Sequence, residues 1–303
     1  MGTTASGNPR SDGATPAGAP AISFLVNTRN RGAVLLPALQ AYGRMRCRAP
    51  WEIVLVDNGS TDETPRLLAE FQARSPVPCQ VLREQRPGSS CAKNTGWRAA
   101  RAPLLAFTDD DCYPAPDFLE QMLAAFEDAG IGFVAGRLLL YDPTDLPTGI
   151  KLDSDRRAYP AGFAFPPGEL HGANFAFRRE VLETIGGFDE LIGAGTPWPF
   201  EDVDAAMRAS LAGFAGCYDP RPTIFHHHRR RDRRTLHAVL HGYARGRGAY
   251  FFKFLARRGP RVVLLKRWVG CMRYHGLSWL PVELLAGASY LVHRALRPAR
   301  ARP

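Results

Sequence analysis

Three consecutive carboxylates, Asp109, Asp110 and Asp111, follow the apolar residues 104–107. Adjacent carboxylates repel one another unless a cation lies between them, so this cluster predicts a bound hard divalent ion. Mn²⁺ and Mg²⁺ prefer carboxylate and phosphate oxygens, and Mg²⁺ is usually held by one or two carboxylates together with substrate phosphates. The cluster therefore indicates Mn²⁺ or Mg²⁺ and a nucleoside diphosphate. The alternative is a solvated acidic turn before the helix that begins near Pro116.

A second acidic pair, Glu201 and Asp202, follows a Gly- and Pro-rich loop at 193–200 and precedes a helical pattern. If Asp202 faces a cleft, its carboxylate could accept a proton from an attacking hydroxyl, a role worth about 10²–10⁴ in rate. The alternative is that Asp202 only caps the helix. Trp198, in the loop, could stack on a sugar ring or fill the core.

Polar loops at 27–31 and 57–62 follow the first two predicted strands. Because ligands bind beyond the carboxyl ends of parallel strands, these loops and residues 108–111 predict one shared crevice. For loop 57–62 the alternative is a turn at Gly59 before a capped helix. His226, after a strand-like segment, could complete the metal site or bind diphosphate; the alternative is a partly exposed basic strand end.

Helical and strand-like segments alternate through the first 130 residues. The strand-like runs lie at 21–26, 51–56, 79–82 and 104–107, and the helical ones at 31–42, 61–73, 89–101 and 116–128. This α/β alternation with short connections predicts a doubly wound, mostly parallel sheet flanked by helices. Further strand-like runs at 131–141 and 174–178, with a Pro-, Gly- and Asp-rich segment at 142–169, predict a mixed sheet and a mobile loop.

The composition of the 303 residues, 45% hydrophobic and 22% charged, is that of a globular protein. It excludes a wholly disordered chain, a collagen-like fibre and a polytopic membrane protein. The six cysteines are scattered, which favours a reduced, cytoplasmic setting. Residues 1–20 predict a disordered leader, and the longest apolar run, 277–292, is shorter than the ~20 residues of a spanning helix. P-loop, Rossmann and nucleophile-elbow motifs are absent from the sequence.

The positive charge is concentrated in the C-terminal quarter. Residues 1–225 hold 21 basic and 27 acidic residues, whereas residues 226–303 hold 18 basic and two acidic ones. We therefore expect a catalytic domain at 21–225 and a basic, amphipathic helical region at 226–303. This region could lie on an anionic membrane surface, or it could be a helical appendage packed on the catalytic domain. Nucleic acid is disfavoured as its partner, because that function would leave the acidic crevice unexplained.

Seven motifs, in the family's order, resemble those of the family 2 inverting glycosyltransferases of the GT-A fold, bacterial members especially. The resemblance covers about residues 21–256. The motifs are FLVNTRNR at 24–31, EIVLVDNGSTD at 52–62, CAKNTG at 91–96, LAFTDDD at 105–111, GANFAFRR at 172–179, GGFDE at 186–190 and ED at 201–202.

The resemblance implies that Thr28 and Arg29 line the nucleotide pocket, that Asp57 meets the base, and that Lys93 and Asn94 lie near the nucleotide. The substrate-binding residues expected from the motifs and the loops are Thr28, Arg29, Asn30, Asp57, Asn58, Lys93, Asn94, Asp109, Asp110, Asn174 and Trp198. Asp109 and Asp111 would form the D-x-D motif, one near the ribose and the other on the metal, and the metal set is Asp111, Asp109 and His226. Asp202 would be the general base, with Glu201 beside it at the acceptor.

The expected activity is transfer of a sugar, with inversion, from a UDP-, GDP- or dTDP-sugar to the hydroxyl of a glycan, lipid-linked or small-molecule acceptor. Two departures from the family pattern matter. The first loop reads Val-Asn-Thr-Arg-Asn where many relatives have Ile-Pro-Thr-Tyr-Asn, and the Q-x-x-R-W of processive polymerases is missing, which favours single transfer. The alternative activity is a catalytically silent sugar-nucleotide binder; a glycoside hydrolase would not need the nucleotide loops. We expect a cytoplasmic protein, with a peripheral position on the inner membrane face as the alternative, in cell-envelope polysaccharide synthesis.

Overall fold

A computed structural model describes residues 18–257 and 260–297. Its strands form one nine-stranded mixed sheet in the order β3-β2-β1-β4-β8-β6-β9-β5, with β7 paired to β9. The first four strands are parallel to one another, and the sheet becomes mixed where β8 pairs antiparallel with β4 and β6. The strands are β1 (Ile22–Thr28), β2 (Trp51–Asp57), β3 (Cys79–Arg83), β4 (Leu104–Asp109), β5 (Cys112–Pro114), β6 (Ile131–Leu140), β7 (Arg157–Tyr159), β8 (Phe175–Arg178) and β9 (Ala215–His226).

Helices connect these strands and then form the C-terminal region. They are α1 (Leu36–Arg44), α2 (Thr64–Arg74), α3 (Ser89–Ala99), α4 (Phe118–Ala125), α5 (Arg179–Ile185), α6 (Glu201–Leu211), α7 (Arg233–Leu255), α8 (Arg261–His275) and α9 (Leu280–Leu296), with 3₁₀ turns at Gly32–Leu35 and Leu277–Trp279. The predicted mixed α/β fold is confirmed. The elements that the sequence did not indicate include the short β5 and β7 and helix α5, and β7 lies inside the segment expected to be a mobile loop.

The sheet buries both faces, which explains why its central strands are continuously apolar. Alternate side chains of β1 point to opposite layers: Phe24 and Val26 belong to one apolar cluster with α1 and α4, whereas Leu25 belongs to the other. In β2, Ile53 and Val54 divide in the same way. Two cores therefore clamp the sheet and fix the positions at which its strands end.

The C-terminal helices pack directly on this domain. Tyr250 and Phe254 of α7 are buried in the same cluster as strands β4 and β8, together with Leu264 of α8. Tyr290 of α9 packs in a smaller cluster with Trp198. Among the described residues, no helix is both long and apolar enough to cross a bilayer. The expected leader, residues 1–20, lies almost wholly outside the described residues.

Candidate active site

One large cleft, with a cavity volume of about 800 Å³, lies beyond the carboxyl ends of β1 and β4. The loop after β1, the acidic cluster after β4 and the start of α6 line its floor. The opposite wall comes from the C-terminal helices and the segments around 147–150 and 167–173. Of the expected site residues, the cleft is lined by Thr28, Arg29, Asn30, Asn58, Asp109, Asp110, Asp111, Glu201, Asp202 and His226.

The loops after β1 and β2 hold each other in place. The backbone N–H of Asn30 donates to Ser60 Oγ at 2.9 Å, and the backbone N–H of Thr61 donates to Asn30 Oδ1 at 2.8 Å. Asn30 has a φ of 50°, a left-handed conformation that asparagine tolerates better than most residues. Asp57 closes its own turn by accepting from the Ser60 N–H at 2.9 Å. Residues 57–62 thus form the turn that was the alternative interpretation of this loop. The same loop also reaches the cleft, which Asn58 lines.

Asn58 extends this scaffold to the next loop. Its Nδ2 donates to the carbonyl oxygens of Glu84 and Arg86, and its Oδ1 accepts from the Gly88 N–H at 3.0 Å. Gly88 has a φ of 118° and immediately precedes α3, so a side chain with Cβ would be strained there. The loops after β1, β2 and β3 therefore form one hydrogen-bonded unit.

A cation from the chain itself balances part of the acidic cluster. The Arg31 guanidinium donates to Asp110 Oδ1 at 2.7 Å and lies 3.3 Å from Asp111 Oδ2. Sequence spacing alone suggested a divalent ion as the neutralising charge, and this arginine was not singled out. Burial nevertheless raises the pKa of Asp110 despite the attraction of Arg31. Because Arg31 forms its shorter contacts with Asp110 and reaches only Oδ2 of Asp111, the Asp109 carboxylate and Oδ1 of Asp111 are the groups left for a ligand.

Asp111 and His226 form the part of the cluster that best fits a metal. His226 Nε2 lies 3.4 Å from Asp111 Oδ1, and Nδ1 is 3.0 Å from the Gly149 carbonyl oxygen, so Nδ1 carries the proton that it donates there. Burial opposes ionisation of Asp111, but His226 and Arg31 lower its pKa to about 2. Potential ligand atoms of Asp111, Cys112 and His226 lie within 4.8 Å of one another. Burial raises the pKa of the Cys112 thiol well above its usual value, so carboxylate oxygen and imidazole nitrogen are the better donors.

Asp109 lies between the metal cluster and the start of α6. Burial raises its pKa to about 6, and the nearby Lys93 ammonium limits this rise. Lys93 itself is 3% exposed and does not line the cleft; its Nζ lies 2.7 Å from Glu201 Oε1. Lys93 therefore lies beneath the site and couples the acidic cluster electrostatically to Glu201.

Glu201 and Asp202 begin α6 and have opposite protonation behaviour. Burial alone would raise the pKa of Glu201, but the Lys93 ammonium and the Ser89 hydroxyl, which donates at 2.8 Å, hold it below the ordinary value. Burial, and then the charge of Glu201, raises the pKa of Asp202 to about 7. Asp202 Oδ1 accepts from the N–H of Val203 and from no other described donor, although Asp202 lines the cleft. A carboxylate with these properties can accept a proton near neutral pH.

Three residues expected to bind substrate have packing or scaffolding roles. Asn94 bonds to both the N–H and the carbonyl oxygen of Phe188, and Asn174 donates to the carbonyl oxygens of Arg137 and Pro222. Trp198 is 3% exposed and contacts Tyr290 and His293 edge-on, outside the cleft lining. Of its two interpretations, this packing favours the one in which the indole fills the core.

Sequence reasoning missed the wall that the C-terminal helices supply. It consists of Leu240, Tyr243 and Arg247 from α7 and Tyr274 and His275 from the end of α8. Gly246 packs so closely on Phe200 that an added Cβ would lie 2.3 Å from the ring, which fixes α7 beside the start of α6. The signal was the mixture of aromatic and cationic residues in this region, for which the sequence left open a membrane surface or an appendage packed on the catalytic domain, but not a wall of the cleft.

Comparison with protein families gives a match between residues 23–186 and the profile of glycosyl transferase family 2. Among curated relatives, glycosyltransferase AglE of Haloferax volcanii is 25% identical over 213 residues, 67% of this chain and 68% of that protein. Pre-mycofactocin glycosyltransferase of Mycobacterium tuberculosis is 30% identical over 148 residues, 47% of this chain and only 30% of that protein.

Solved structures give the same fold. The mannosyltransferase PcManGT from Pyrobaculum calidifontis, in complex with GDP-Man and Mn²⁺, superposes with a TM-score of 0.64 at 22% identity, covering 97% of this chain and 81% of that one. Residues 1–349 of S. aureus TarS, in complex with UDP-GlcNAc, superpose with a TM-score of 0.62 at 15% identity, covering 92% and 82%. At these identities, the likeness supports the fold alone.

Proposed function

The chain belongs to glycosyl transferase family 2, and on that premise we propose that it transfers one sugar, with inversion and with a divalent metal, from a nucleoside-diphosphate sugar to an acceptor hydroxyl. The observation that supports this most directly is Asp202, a buried carboxylate with a pKa of about 7 that lines the same cleft as Asp109 and Asp111. Placing a base and an acidic cluster in one cleft suits a displacement in which the nucleophile and the leaving group lie on opposite sides of the reacting carbon.

Asp202 is the general base of this proposal. In its ionised form it removes the proton from the attacking hydroxyl as the new glycosidic bond forms. Glu201 keeps its own charge through Lys93 and thereby raises the proton affinity of its neighbour. Direct displacement at the anomeric carbon inverts its configuration and requires no covalent enzyme intermediate. This fits the absence of a recognised nucleophile motif from the sequence.

The donor set at Asp111 and His226 fits Mn²⁺ or Mg²⁺, with Asp109 beside it. When bound, the ion would supply positive charge for the diphosphate that leaves. The chain's own residues prepare this place: Arg31 neutralises Asp110, and the Gly149 carbonyl oxygen accepts from Nδ1 of His226, so that Nε2 faces Asp111. The nucleotide would lie on the opposite side, held by Thr28, Arg29, Asn30 and Asn58. Asp57 would contact its nucleobase.

The acceptor would enter between the start of α6 and the wall of Tyr243, Arg247, Tyr274 and His275. We assign it to the glycan or lipid-linked class. AglE and PcManGT provide a precedent only for glycosyl transfer as such. The strongly basic C-terminal region supports a location on the cytoplasmic membrane face, with a role in envelope polysaccharide synthesis.

Calorimetric titration of UDP, GDP and dTDP, with Mn²⁺ and then with chelator, tests the donor side of the proposal. We expect one nucleotide to bind in a metal-dependent way and Asp111→Asn to weaken that binding. Asp155→Asn, a change of an exposed aspartate outside the cleft lining, is the matched control. Failure of every nucleotide to bind to folded protein would contradict the proposal.

Asp202→Asn tests the catalytic side. Because the amide cannot accept the proton, transfer should fall by about 10²–10⁴ while nucleotide affinity stays unchanged. Parallel loss of nucleotide binding would make Asp202 a structural residue. Tight, metal-dependent nucleotide binding by the wild-type protein without turnover on any acceptor would instead favour the alternative of a catalytically silent sugar-nucleotide binder.

A further inference from the structure

Helix α8 has one face packed on the protein and one face that the described residues leave uncovered. Leu264 and Cys271 face inward and are 0% and 9% exposed. Val262 and Leu265 face outward and are 67% and 48% exposed. The outward face, here called the α8 face, comprises Val262, Leu265, Lys266, Val269, Gly270 and Arg273, which together line a shallow surface groove.

The α8 face combines an apolar stripe with exposed positive charge. Its spacing of three and four residues places the apolar side chains in one stripe along the helix. Lys266 and Arg273 lie within that stripe, and Arg261 and Arg267 on the same helix are also exposed. The one acidic residue among 260–297 is Glu283, which is 2% exposed and accepts hydrogen bonds from Arg247 and Trp268. The surface of this segment therefore presents positive charge without exposed carboxylates.

Helix α8 ends at the cleft. Tyr274, at the end of α8, is 86% exposed and lines the cleft, and Leu277, in the following turn, is 69% exposed. Leu285, on α9, is 73% exposed. The helix that carries the α8 face thus ends at the cleft, and exposed apolar residues follow it in the next turn and on α9.

We propose that the α8 face docks the protein on a bilayer containing anionic phospholipids, so that the cleft opens toward the headgroups and receives a lipid-linked acceptor. Apolar side chains enter the interface while lysine and arginine pair with lipid phosphates, the arrangement of a helix lying in the membrane plane. A protein partner fits less well, because lysine is depleted in the cores of protein interfaces. The lipid-linked acceptor rests on the proposed glycosyl transfer, whereas membrane docking does not.

Cosedimentation of the full chain with vesicles tests the docking. We expect binding to vesicles of phosphatidylcholine and phosphatidylglycerol, weaker binding to phosphatidylcholine alone, and a decrease as salt is raised. Leu265→Ser/Val269→Ser should lower the affinity at least tenfold. The matched control Val34→Ser/Leu211→Ser changes equally exposed apolar residues, 45% and 41% exposed against 48% and 41%, elsewhere on the protein and should leave the affinity unchanged.

Equal loss of vesicle binding in both double variants, or no binding by the wild-type protein, would overturn the docking. Light scattering that shows a dimer broken only by Leu265→Ser/Val269→Ser would overturn it in favour of a second copy of the chain. Orientation is tested with Leu277→Trp: lipids brominated in their acyl chains should quench the added emission, and emission added by Leu211→Trp should persist. Equal quenching in both would overturn the proposed orientation.

The two levels of the proposal are separated by calorimetry on the same samples. If Leu265→Ser/Val269→Ser still binds the nucleotide but no longer binds vesicles, docking is a separate property of α8, as proposed. If the wild-type protein binds vesicles but no nucleotide, the proposed glycosyl transfer fails and the lipid-linked acceptor fails with it, while docking stands.

Discussion

A buried cluster of charges joins the C-terminal helices to the catalytic domain, and Lys253→Met should reveal its strength. Lys253 of α7 is fully buried, with its Nζ 2.7 Å from Asp189 Oδ2 and 2.5 Å from Asp204 Oδ1. Asp204 also pairs with Arg208 at 2.8 Å, and the Tyr290 hydroxyl donates to Asp189 at 2.9 Å. Asp204 is on α6, two residues from Asp202, so this cluster holds the helix that begins with the proposed base.

The size of the expected loss of stability follows from the burial of Lys253 and of both carboxylates that it contacts. Asp189 and Asp204 are 2% and 0% exposed, so removal of the ammonium leaves two carboxylates in a place that water does not reach. Removing one partner from a buried ion pair costs about 3–5 kcal/mol. We expect that loss in the free energy of unfolding for Lys253→Met, and about 1.5–3 kcal/mol for Tyr290→Phe, which removes one hydrogen bond to a charged group.

Urea unfolding, followed by tryptophan fluorescence and circular dichroism, measures both losses, and coincident transitions would justify a two-state treatment. Because Asp204→Asn removes one of the two carboxylates that Lys253 neutralises, Lys253→Met/Asp204→Asn should be less destabilised than the sum of the two single variants. A Lys253→Met protein within about 1 kcal/mol of wild type, or strict additivity in the double variant, would refute the reasoning.

Three further outcomes are expected. In the proposed mechanism Asp202 acts in its ionised form, and its pKa is about 7, so kcat/KM at saturating metal concentration should fall tenfold for each pH unit below that value. A pH profile that stays flat down to pH 5 would exclude Asp202 as the base. Gly248→Ala should destabilise the protein by about 1–3 kcal/mol or more, because the added Cβ would lie 2.1 Å from the Glu283 carbonyl oxygen. Gly242→Ala, which has open space around its Cβ, is the control and should be neutral or stabilising by up to about 1 kcal/mol. Equal urea midpoints for the two variants would contradict this packing of α7 on α9. Asp111→Asn should abolish Mn²⁺-dependent changes in nucleotide affinity, and calorimetry in which the metal effect survives would exclude Asp111 as a ligand.

The cleft position of the polar residues that follow β1, β2 and β4 could be predicted from the sequence, because the pattern that places them is local. An apolar strand followed at once by polar residues places those residues at the sheet edge, and this was sufficient for Thr28, Asn58 and Asp109. The partner of the acidic cluster was not local: Arg31 and Asp110 are 79 residues apart, and no spacing rule connects them. Their pairing depends on the parallel register of β1 and β4, in which Asn27 lies beside Asp109.

Residue type alone does not distinguish a ligand-binding side chain from a polar or aromatic side chain that supports the scaffold. Asn94 and Asn174 saturate backbone groups of neighbouring segments, and both are 1% exposed. Their polarity suggested a ligand, but a buried loop needs such side chains to satisfy its own N–H and carbonyl groups. Trp198, in a Gly-rich loop, had two interpretations, stacking on a sugar ring or filling the core. The choice depends on α9, which packs against that loop but is distant from residue 198 in sequence.

The family profile ends at residue 186, before the start of α6 at Glu201. The proposed metal ligands Asp109 and Asp111 and the loops proposed to hold the nucleotide lie within the profile, whereas Asp202, His226 and the wall from α7 and α8 lie beyond it. All nucleoside-diphosphate sugars carry the same diphosphate group. The part of the cleft that would bind this group can therefore be similar in many members of the family. Acceptors differ in structure, and the wall proposed to meet them is built from α7 and α8, which pack on the catalytic domain through apolar contacts and the ion pairs of Lys253. We therefore expect the C-terminal region to determine acceptor choice.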